Sequence, residues 1–263
     1  MSVQASVIMP CFNSERYISE AINSVLNQTF DELELLICDD GSSDKSLEII
    51  KRYACKDRRI KFFQNPKTEG AAMARNRCIE NATGRYICFL DSDDIWHLDR
   101  LKNHIDFMKK SSVYFSYSFN NIIDENGVYK HKYLAPEKVD SKKMRYACFL
   151  SCSTVIYDSH KLGKFYQPHL KKRNDFALWL TILNSPSKPI AVCYKKITSS
   201  YRVNSYGLSS NKIVNAYYYY KCQIDYNNQS KFSAMYFLFI HLFIILVKKA
   251  KPKLYNKLVT HFF

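Results

Sequence analysis

Residues 84–94 read Gly-Arg-Tyr-Ile-Cys-Phe-Leu-Asp-Ser-Asp-Asp, so an unbroken apolar run passes directly into a cluster of carboxylates. A short apolar run of this kind, residues 86–90, is the pattern of a strand covered on both faces, as in a parallel sheet. Residues 6–9, 32–38 and 60–64 read as three further strands. Helical spacings fall between them. Tyr17, Ile18, Ala21, Ile22, Val25 and Leu26 follow Ser14 as a prospective N-cap, and Leu47, Ile50 and Tyr53 follow Ser43 or Asp44. A short helix is expected around residues 71–82. Strand and helix alternating at this pitch mean βαβ units and a parallel sheet. Right-handed crossovers then gather the carboxyl ends of the strands on one edge.

That edge is where open α/β sheets bind ligands. The residues that follow the strands are Pro10-Cys11-Phe12-Asn13, Asp39-Asp40-Gly41-Ser42 and Asp91-Ser92-Asp93-Asp94. Five carboxylates at strand ends point to a ligand rather than to solvated faces. Asp91-x-Asp93 supplies hard oxygen ligands with room for water, which suits Mg²⁺ or Mn²⁺ shared with a diphosphate. The competing reading is a cap, Asp93 or Asp94 opening a helix through Leu98, Leu101, Ile105 and Met108.

Beyond residue 110 the pattern loosens. Residues 113–119 read as a strand, Asn126-Gly127 as a hairpin turn and residues 128–134 as its return. Residues 135–173 are basic and carry no clear period. Residues 174–183 are helical, 190–193 resemble a strand, and the chain from about 211 is helical, aromatic and lysine-rich.

The chain has 263 residues, 47% of them apolar, which is the composition of a globular protein. The six Gly form neither G-x-G-x-x-G nor a P-loop, and H-E-x-x-H and G-x-S-x-G are absent, so several phosphate-binding and hydrolytic classes are excluded. The net charge of +15 divides unevenly, residues 1–100 carrying −3 and residues 101–263 carrying +18. The two halves should face different partners. Nine Cys without a C-x-x-C pair fit free thiols in a reducing compartment. The sequence opens on its first strand without a basic-then-apolar leader, which favours a cytoplasmic location.

The first hundred residues resemble the family 2 glycosyltransferases of GT-A fold, including bacterial enzymes that build capsule, teichuronic acid and O-antigen chains. The resemblance rests on Val7-Ile8-Met9-Pro10-Cys11-Phe12-Asn13, Leu26-Asn27-Gln28-Thr29, Asp39-Asp40-Gly41-Ser42-Ser43-Asp44, Ala74-Arg75-Asn76 and residues 84–94, in family order and spacing. It continues weakly through residues 174–180 and Tyr201-Arg202-Val203. It implies an open, mainly parallel nucleotide-binding sheet flanked by helices, with a helical C-terminal extension. Residues 1–110 would bind the nucleotide sugar, 111–210 the acceptor and the base, and 211–263 would form the extension.

The same resemblance implies roles. Asp40, with Asp39 beside it, would accept the uracil N3–H, with Pro10 and Phe12 against the nucleotide and Glu15 as a further nucleoside contact. Asp91 would lie near the ribose, Asp93 would hold the metal, and Arg75 would meet a phosphate or the aspartates. Asp175 would be the general base, in a stretch where the family often has Glu-Asp and this chain has Asn174-Asp175. It would deprotonate an acceptor hydroxyl that attacks a UDP-sugar in line, inverting the anomeric centre. The acceptor expected is a surface glycan, carried on a lipid.

Two other classes compete. The positive charge and the Tyr217–Tyr220 run fit a nucleic-acid-binding protein, but the aspartate clusters would repel phosphates. A catalytically inactive scaffold is disfavoured by the presence of Asp93 and Asp175. Finally, residues 232–247 are almost wholly apolar and are followed by Lys248, Lys249, Lys251, Lys253 and Lys257. Sixteen helical residues reach about 24 Å, short of the roughly 30 Å hydrocarbon core. The expectation is a helix lying on an anionic leaflet, which would place the protein on the inner face of the cytoplasmic membrane; the alternative is a helix closing the core or a dimer interface.

Overall fold

The computed structural model describes residues 3–203 and 212–261. The first half alternates as expected: β1 (Ala5–Cys11), α1 (Ile18–Leu26), β2 (Leu33–Asp39), α2 (Ser46–Ala54), β3 (Ile60–Gln64), α3 (Ala71–Asn81) and β4 (Tyr86–Phe89). There follow β5 (Ile95–Trp96), α4 (Arg100–Lys110), β6 (Phe115–Ile123), β7 (Tyr129–Tyr133), β8 (Lys138–Val139), β9 (Ile156–Asp158), α5 (Ser159–Leu162), α6 (Asn174–Leu183) and β10 (Ala191–Arg202). Three helices close the chain, α7 (Lys212–Asp225), α8 (Lys231–Ala250) and α9 (Pro252–His261).

Among the described residues ten strands form one sheet in the order β3-β2-β1-β4-β9-β6-β10-β5, with β7 beside β6 and β8 beside β10. The β3, β2, β1 and β4 strands are mutually parallel. The β9 strand runs antiparallel to both its neighbours, and β6 and β10 are again parallel. Period-2 alternation divides each central strand between two cores. Val7, Met9, Leu35, Ile37 and Cys88 meet Ile22, Val25, Ile50, Leu101 and Ile105 on one face. Ile8, Leu36, Ile87 and Phe89 meet Ala74, Cys78, Phe176 and Trp179 on the other. Helices therefore cover both faces of the sheet, as its apolar strands require.

One buried carboxylate ties the near edge together. Glu34 Oε1 accepts from Ser6 Oγ at 2.6 Å and from Thr83 N at 2.6 Å, while Lys61 Nζ donates to Glu34 Oε2 at 2.8 Å. Burial pushes Glu34 up, but Lys61, Ser6 and Thr83 together hold it below its ordinary value. Beside it, Gly84 N donates to Ser6 Oγ. A Cβ at Gly84 would lie 2.7 Å from the Ala5 carbonyl carbon and 2.8 Å from Ser6 N, both backbone atoms that cannot give way.

Several local expectations are corrected. Ser14 does not cap α1 with its side chain: Ser14 O accepts from Tyr17 N and Ile18 N, and its hydroxyl lies 2.8 Å from Ser92 Oγ. Neither Asp93 nor Asp94 opens α4, because β5 intervenes and Asp99 stands at the cap position. The strand expected at 190–193 is the twelve-residue β10, whose pairing with β6 shifts register between Tyr194 and Ser199. The Tyr217–Tyr220 run does not present four equivalent rings. Tyr219 is buried, stacked on Phe176 at 5.3 Å and on His241 at 3.9 Å. The nine thiols are unpaired.

Two measurements check this packing. Gly84→Ala should cost about 1–3 kcal/mol, the range for overpacking a filled site, read as a lower urea midpoint with an unchanged slope. Burial, then Arg173, holds His241 down to about 3. An unfolded imidazole takes up its proton near pH 6.5, so stability is intact above that value and declines as pH falls from 6.5 toward 3. At pH 5 that single group accounts for about 2 kcal/mol of the loss. His241→Phe keeps a flat ring in the stack and should lower the starting stability while flattening the decline between pH 7 and 5.

Candidate active site

Three loops follow the carboxyl ends of β1, β2 and β4. The first two are clasped together. Asn13, in the left-handed region at φ 46°, accepts from Ser43 N at 2.8 Å, and Ser42 Oγ accepts from Asn13 N. Glu15 Oε2 accepts from Lys45 N at 3.0 Å and Asp44 Oδ2 accepts from Glu15 N at 2.9 Å. Glu15 is thus exposed but engaged at the start of α2, where a negative charge meets the positive end of the helix. Pro10 lies buried at the end of β1, and Phe12 just beyond it is 49% exposed.

At the end of β2 the paired aspartates differ. Asp40 Oδ1 accepts from Asn65 Nδ2 at 2.8 Å and Glu69 N at 3.0 Å, and Oδ2 accepts from Gly70 N at 2.8 Å. Its carboxylate holds the loop that opens α3. Asp39 Oδ2 accepts from Ser42 N, whereas Asp39 Oδ1 is buried without a hydrogen-bond partner among the described residues. An orphaned carboxylate oxygen at a strand end is costly unless a donor arrives.

The third loop is the most charged. Arg75 Nη2 donates to Asp91 Oδ1 at 2.5 Å and Nη1 donates to Gln167 Oε1 at 3.3 Å. Burial disfavours the guanidinium charge, but Asp91, with Asp175, more than compensates and raises it. Burial and Asp91 push the Asp93 carboxyl up to about 6. Asp94 is fully buried; burial, then Asp93 and Asp91, push it well above the carboxylate range. It lies 2.5 Å from Ser153 Oγ and accepts from Arg202 N at 2.9 Å.

Asp175 stands in the first turn of α6, half-buried, its Oδ1 accepting from Phe176 N at 2.8 Å. Its charge reaches Arg75 and the Tyr201 phenol. Burial raises that phenol first, and Asp94, Asp91, Asp93 and Asp175 raise it further. The structure therefore brings Arg75, Asp91, Asp93 and Asp175 to one place. Asp39, Asp40, Pro10, Phe12 and Glu15 form the other end of the same edge. Because β1 alone separates β2 from β4, the two ends lie about 10 Å apart by strand spacing, a span that one extended ligand can bridge.

Sequence reasoning missed Arg202, Ser153, Tyr201 and Cys152 as site residues. Arg202 Nε donates to Asp93 O at 2.8 Å, its Nη2 donates to Glu20 Oε2 at 2.6 Å, and its guanidinium stacks 4.6 Å from the Tyr17 ring. The faint match at Tyr201-Arg202-Val203 was the one signal for it. Cys152 is buried, and burial and Asp91 keep its thiol protonated.

Among the described residues no group of three or more His, Cys, Asp or Glu side chains is placed to cage a metal. A cage is not what Mg²⁺ or Mn²⁺ demands when phosphates and water complete the shell, since one or two carboxylates then suffice. Asp93, raised by burial and by Asp91, suits that role because a nearby cation offsets both penalties. A separate cleft of about 420 Å³ runs beside α3, lined by Pro66, Met73, Asn76 and Arg77. It adjoins the Asp40 loop through Asn65 and Glu69 and lies away from the converging carboxylates.

The Glycosyl transferase family 2 model matches residues 6–175. The chain is 41% identical over 207 residues to the Escherichia coli UDP-Glc:alpha-D-GlcNAc-diphosphoundecaprenol beta-1,3-glucosyltransferase WfgD, covering 79% of this chain and 80% of that one. It is 34% identical over 208 residues to the putative teichuronic acid biosynthesis glycosyltransferase TuaG of Bacillus subtilis, covering 79% and 82%. Among solved structures, S. aureus TarS 1-349 in complex with UDP superposes with a TM-score of 0.68 at 23% identity, over 95% of this chain and 74% of that one. The mannosyltransferase PcManGT of Pyrobaculum calidifontis, in complex with GDP-Man and Mn²⁺, gives 0.66 at 15% identity over 98% and 79%.

The electrostatics of the third loop make a prediction of opposite sign to ordinary packing. A carboxyl raised to about 6 in the folded chain opposes folding above that pH and not below the unfolded value near 3.9. Asp93→Asn should therefore raise Tm at pH 8 in EDTA and raise it less at pH 5. A lower Tm at pH 8 would show that the Asp93 charge is stabilising and already neutralised.

Proposed function

Since the chain belongs to glycosyl transferase family 2 and has the GT-A fold, we propose that it transfers a sugar from a UDP-sugar to a hydroxyl of a lipid-linked surface glycan, with inversion. The observation that carries this reading is the convergence of Arg75, Asp91, Asp93 and Asp175 at the carboxyl edge of the parallel strands. Residues 1–110 bind the donor, 111–210 contribute the base and acceptor side, and 211–263 form the extension.

In this reading the Asp39–Asp40 pair accepts the pyrimidine N3–H, and the free Asp39 oxygen makes that contact favourable. Pro10 and Phe12 lie against the base, Glu15 holds the loop that borders it, and Asp91 meets the ribose. Asp93 would hold Mg²⁺ or Mn²⁺, which when bound would supply positive charge to offset that of the diphosphate. Arg75, kept charged by Asp91, stabilises the same charge as the leaving group departs. Asp175 takes the proton of the acceptor hydroxyl. A single in-line displacement on an α-linked donor yields a β-glycoside.

The relatives support the choice of substrates. WfgD is named for UDP-Glc and a diphosphoundecaprenol-linked acceptor, so UDP-glucose and a GlcNAc-diphospholipid are the pair to try first. Such an acceptor is presented at the cytoplasmic membrane face, which supports a cytoplasmic protein peripheral to that membrane.

The test is UDP release and product formation with a panel of UDP-sugars and a short-chain GlcNAc-diphospholipid that stays in solution. Asp175→Asn should lower transfer about 10²–10⁴-fold, the usual contribution of a general base, with UDP affinity unchanged. A matching loss of UDP affinity would place Asp175 in the donor site and overturn its role.

A further inference from the structure

The α8 helix has two faces of different fate. Its inner face is docked on the body: Ala234 and His241 are buried, with His241 Nδ1 3.2 Å from Tyr146 O and its Nε2 3.5 Å from Arg173 Nη2. The Lys248 ammonium lies 4.0 Å from the centre of the Tyr133 ring. The outer face is apolar and open. Phe232 is 91% exposed, Phe239, Phe243 and Leu246 are each 65% exposed, and Tyr236 is 63% exposed, with Met235 between them. At 100° per residue these six side chains fall on about one third of the helix circumference. A contiguous stripe of that kind marks an interaction surface rather than scattered surface apolarity.

We propose that this outer face of α8 docks on an anionic lipid bilayer, with the helix lying in the plane of the interface. The charge beside the stripe selects this occupant. Lys231 precedes it and Lys249, Lys251, Lys253 and Lys257 follow it, and no Asp or Glu occurs from residue 226 to residue 263. Aromatic and aliphatic side chains inserted at the headgroup level, flanked by lysines, are what an anionic surface attracts. A second copy of the chain would place the same lysines against one another, since a two-fold interface pairs a patch with itself. The helix is long and apolar enough to cross a bilayer by length and composition. Spanning would, however, require His241 and Lys248 to leave their partners on the body for hydrocarbon.

The docked face also fixes where the chemistry sits. His241 stacks on Tyr219, and Tyr219 stacks on Phe176, the residue after Asp175. The lipid-facing helix is therefore joined through two ring stacks to the helix that carries the proposed base. The docking rests on the proposed lipid-linked acceptor only for its purpose, and it is tested without that acceptor.

The experiment is flotation of the full chain with vesicles of phosphatidylcholine alone or with one third phosphatidylglycerol, beside the paired variant Phe239→Glu/Phe243→Glu. The full chain should float with the anionic vesicles at least tenfold more strongly than with the neutral ones, and alkaline carbonate should release it. The paired variant should lose that binding at least tenfold, with Tm and transfer to the soluble acceptor unchanged. Failure of the full chain to bind anionic vesicles would overturn the proposal, as would unchanged binding by the variant. Retention after carbonate would show a spanning helix, and a dimer broken by the variant would show a second copy on the stripe; either result also overturns it. Lost vesicle binding by the variant with no transfer by any form would leave the docking standing and remove only the proposed reaction.

Discussion

A single buried carboxylate, Asp94, joins the two halves of the molecule at the point where they must cooperate. Its two oxygens meet Ser153 Oγ and Arg202 N, groups from segments about 60 and more than 100 residues away along the chain. Ser153 Oγ in turn accepts from Asp91 N, and the Arg202 side chain returns to Asp93 O and to Glu20. The loop after β4 is thus stapled to the end of β10 and to the turn before β9. Burying a carboxylate is costly unless its oxygens are satisfied, and here the satisfying partners are what define the loop. Removing either partner would leave an oxygen unpaired and free Asp91 and Asp93 to turn away from the edge.

With that loop fixed, the chemistry follows from charge. Asp91 raises the Asp93 carboxyl, Asp93 and Asp91 raise Asp94, and all three, with Asp175, raise the Tyr201 phenol. Arg75 answers Asp91 directly, and Arg202 spends most of its donors on backbone carbonyls and Glu20. Such a surplus of negative charge at a strand edge is poised for a cation and for a ligand that brings one. The opposite end of the edge is quieter: Asp40 is consumed by the loop that opens α3, and Asp39 keeps one buried oxygen free. A ligand with a heterocyclic donor at one end and a diphosphate at the other fits both ends at once.

The first half of the fold was legible because its signals are local. Apolar runs, helical spacing and the carboxylates after β2 and β4 sit within a few residues of one another, and the 174–183 helix is a strong apolar period. What escaped was either polar or distant. Most of β10 reads Tyr-Lys-Lys-Ile-Thr-Ser-Ser, which has no alternation to betray a strand, and only its place beside β6 makes it one. Asp94 looked like a helix cap because a cap and a buried pin have the same local sequence; the partners that distinguish them lie in other elements. For the same reason Ser153 gave no sign of its place in the site, and Arg202 and Tyr201 gave only the faint match at Tyr201-Arg202-Val203. The apolar character of α8 was plain, but the division between a face packed on the body and a face left open depends on where Tyr219, Tyr146 and Arg173 sit.

The central claim is that one displacement occurs at this edge, with Asp175 on the acceptor side and, on the other, Arg75 and the cation that Asp93 would hold facing the diphosphate. The anomeric configuration of the product tests it most directly. With an α-linked UDP-sugar as donor, the proton NMR signal of the newly linked sugar should show the large axial–axial coupling of a β-glycoside. An α-linked product would mean retention, which a single in-line displacement does not produce, and would contradict the assignment of Asp175 as the base.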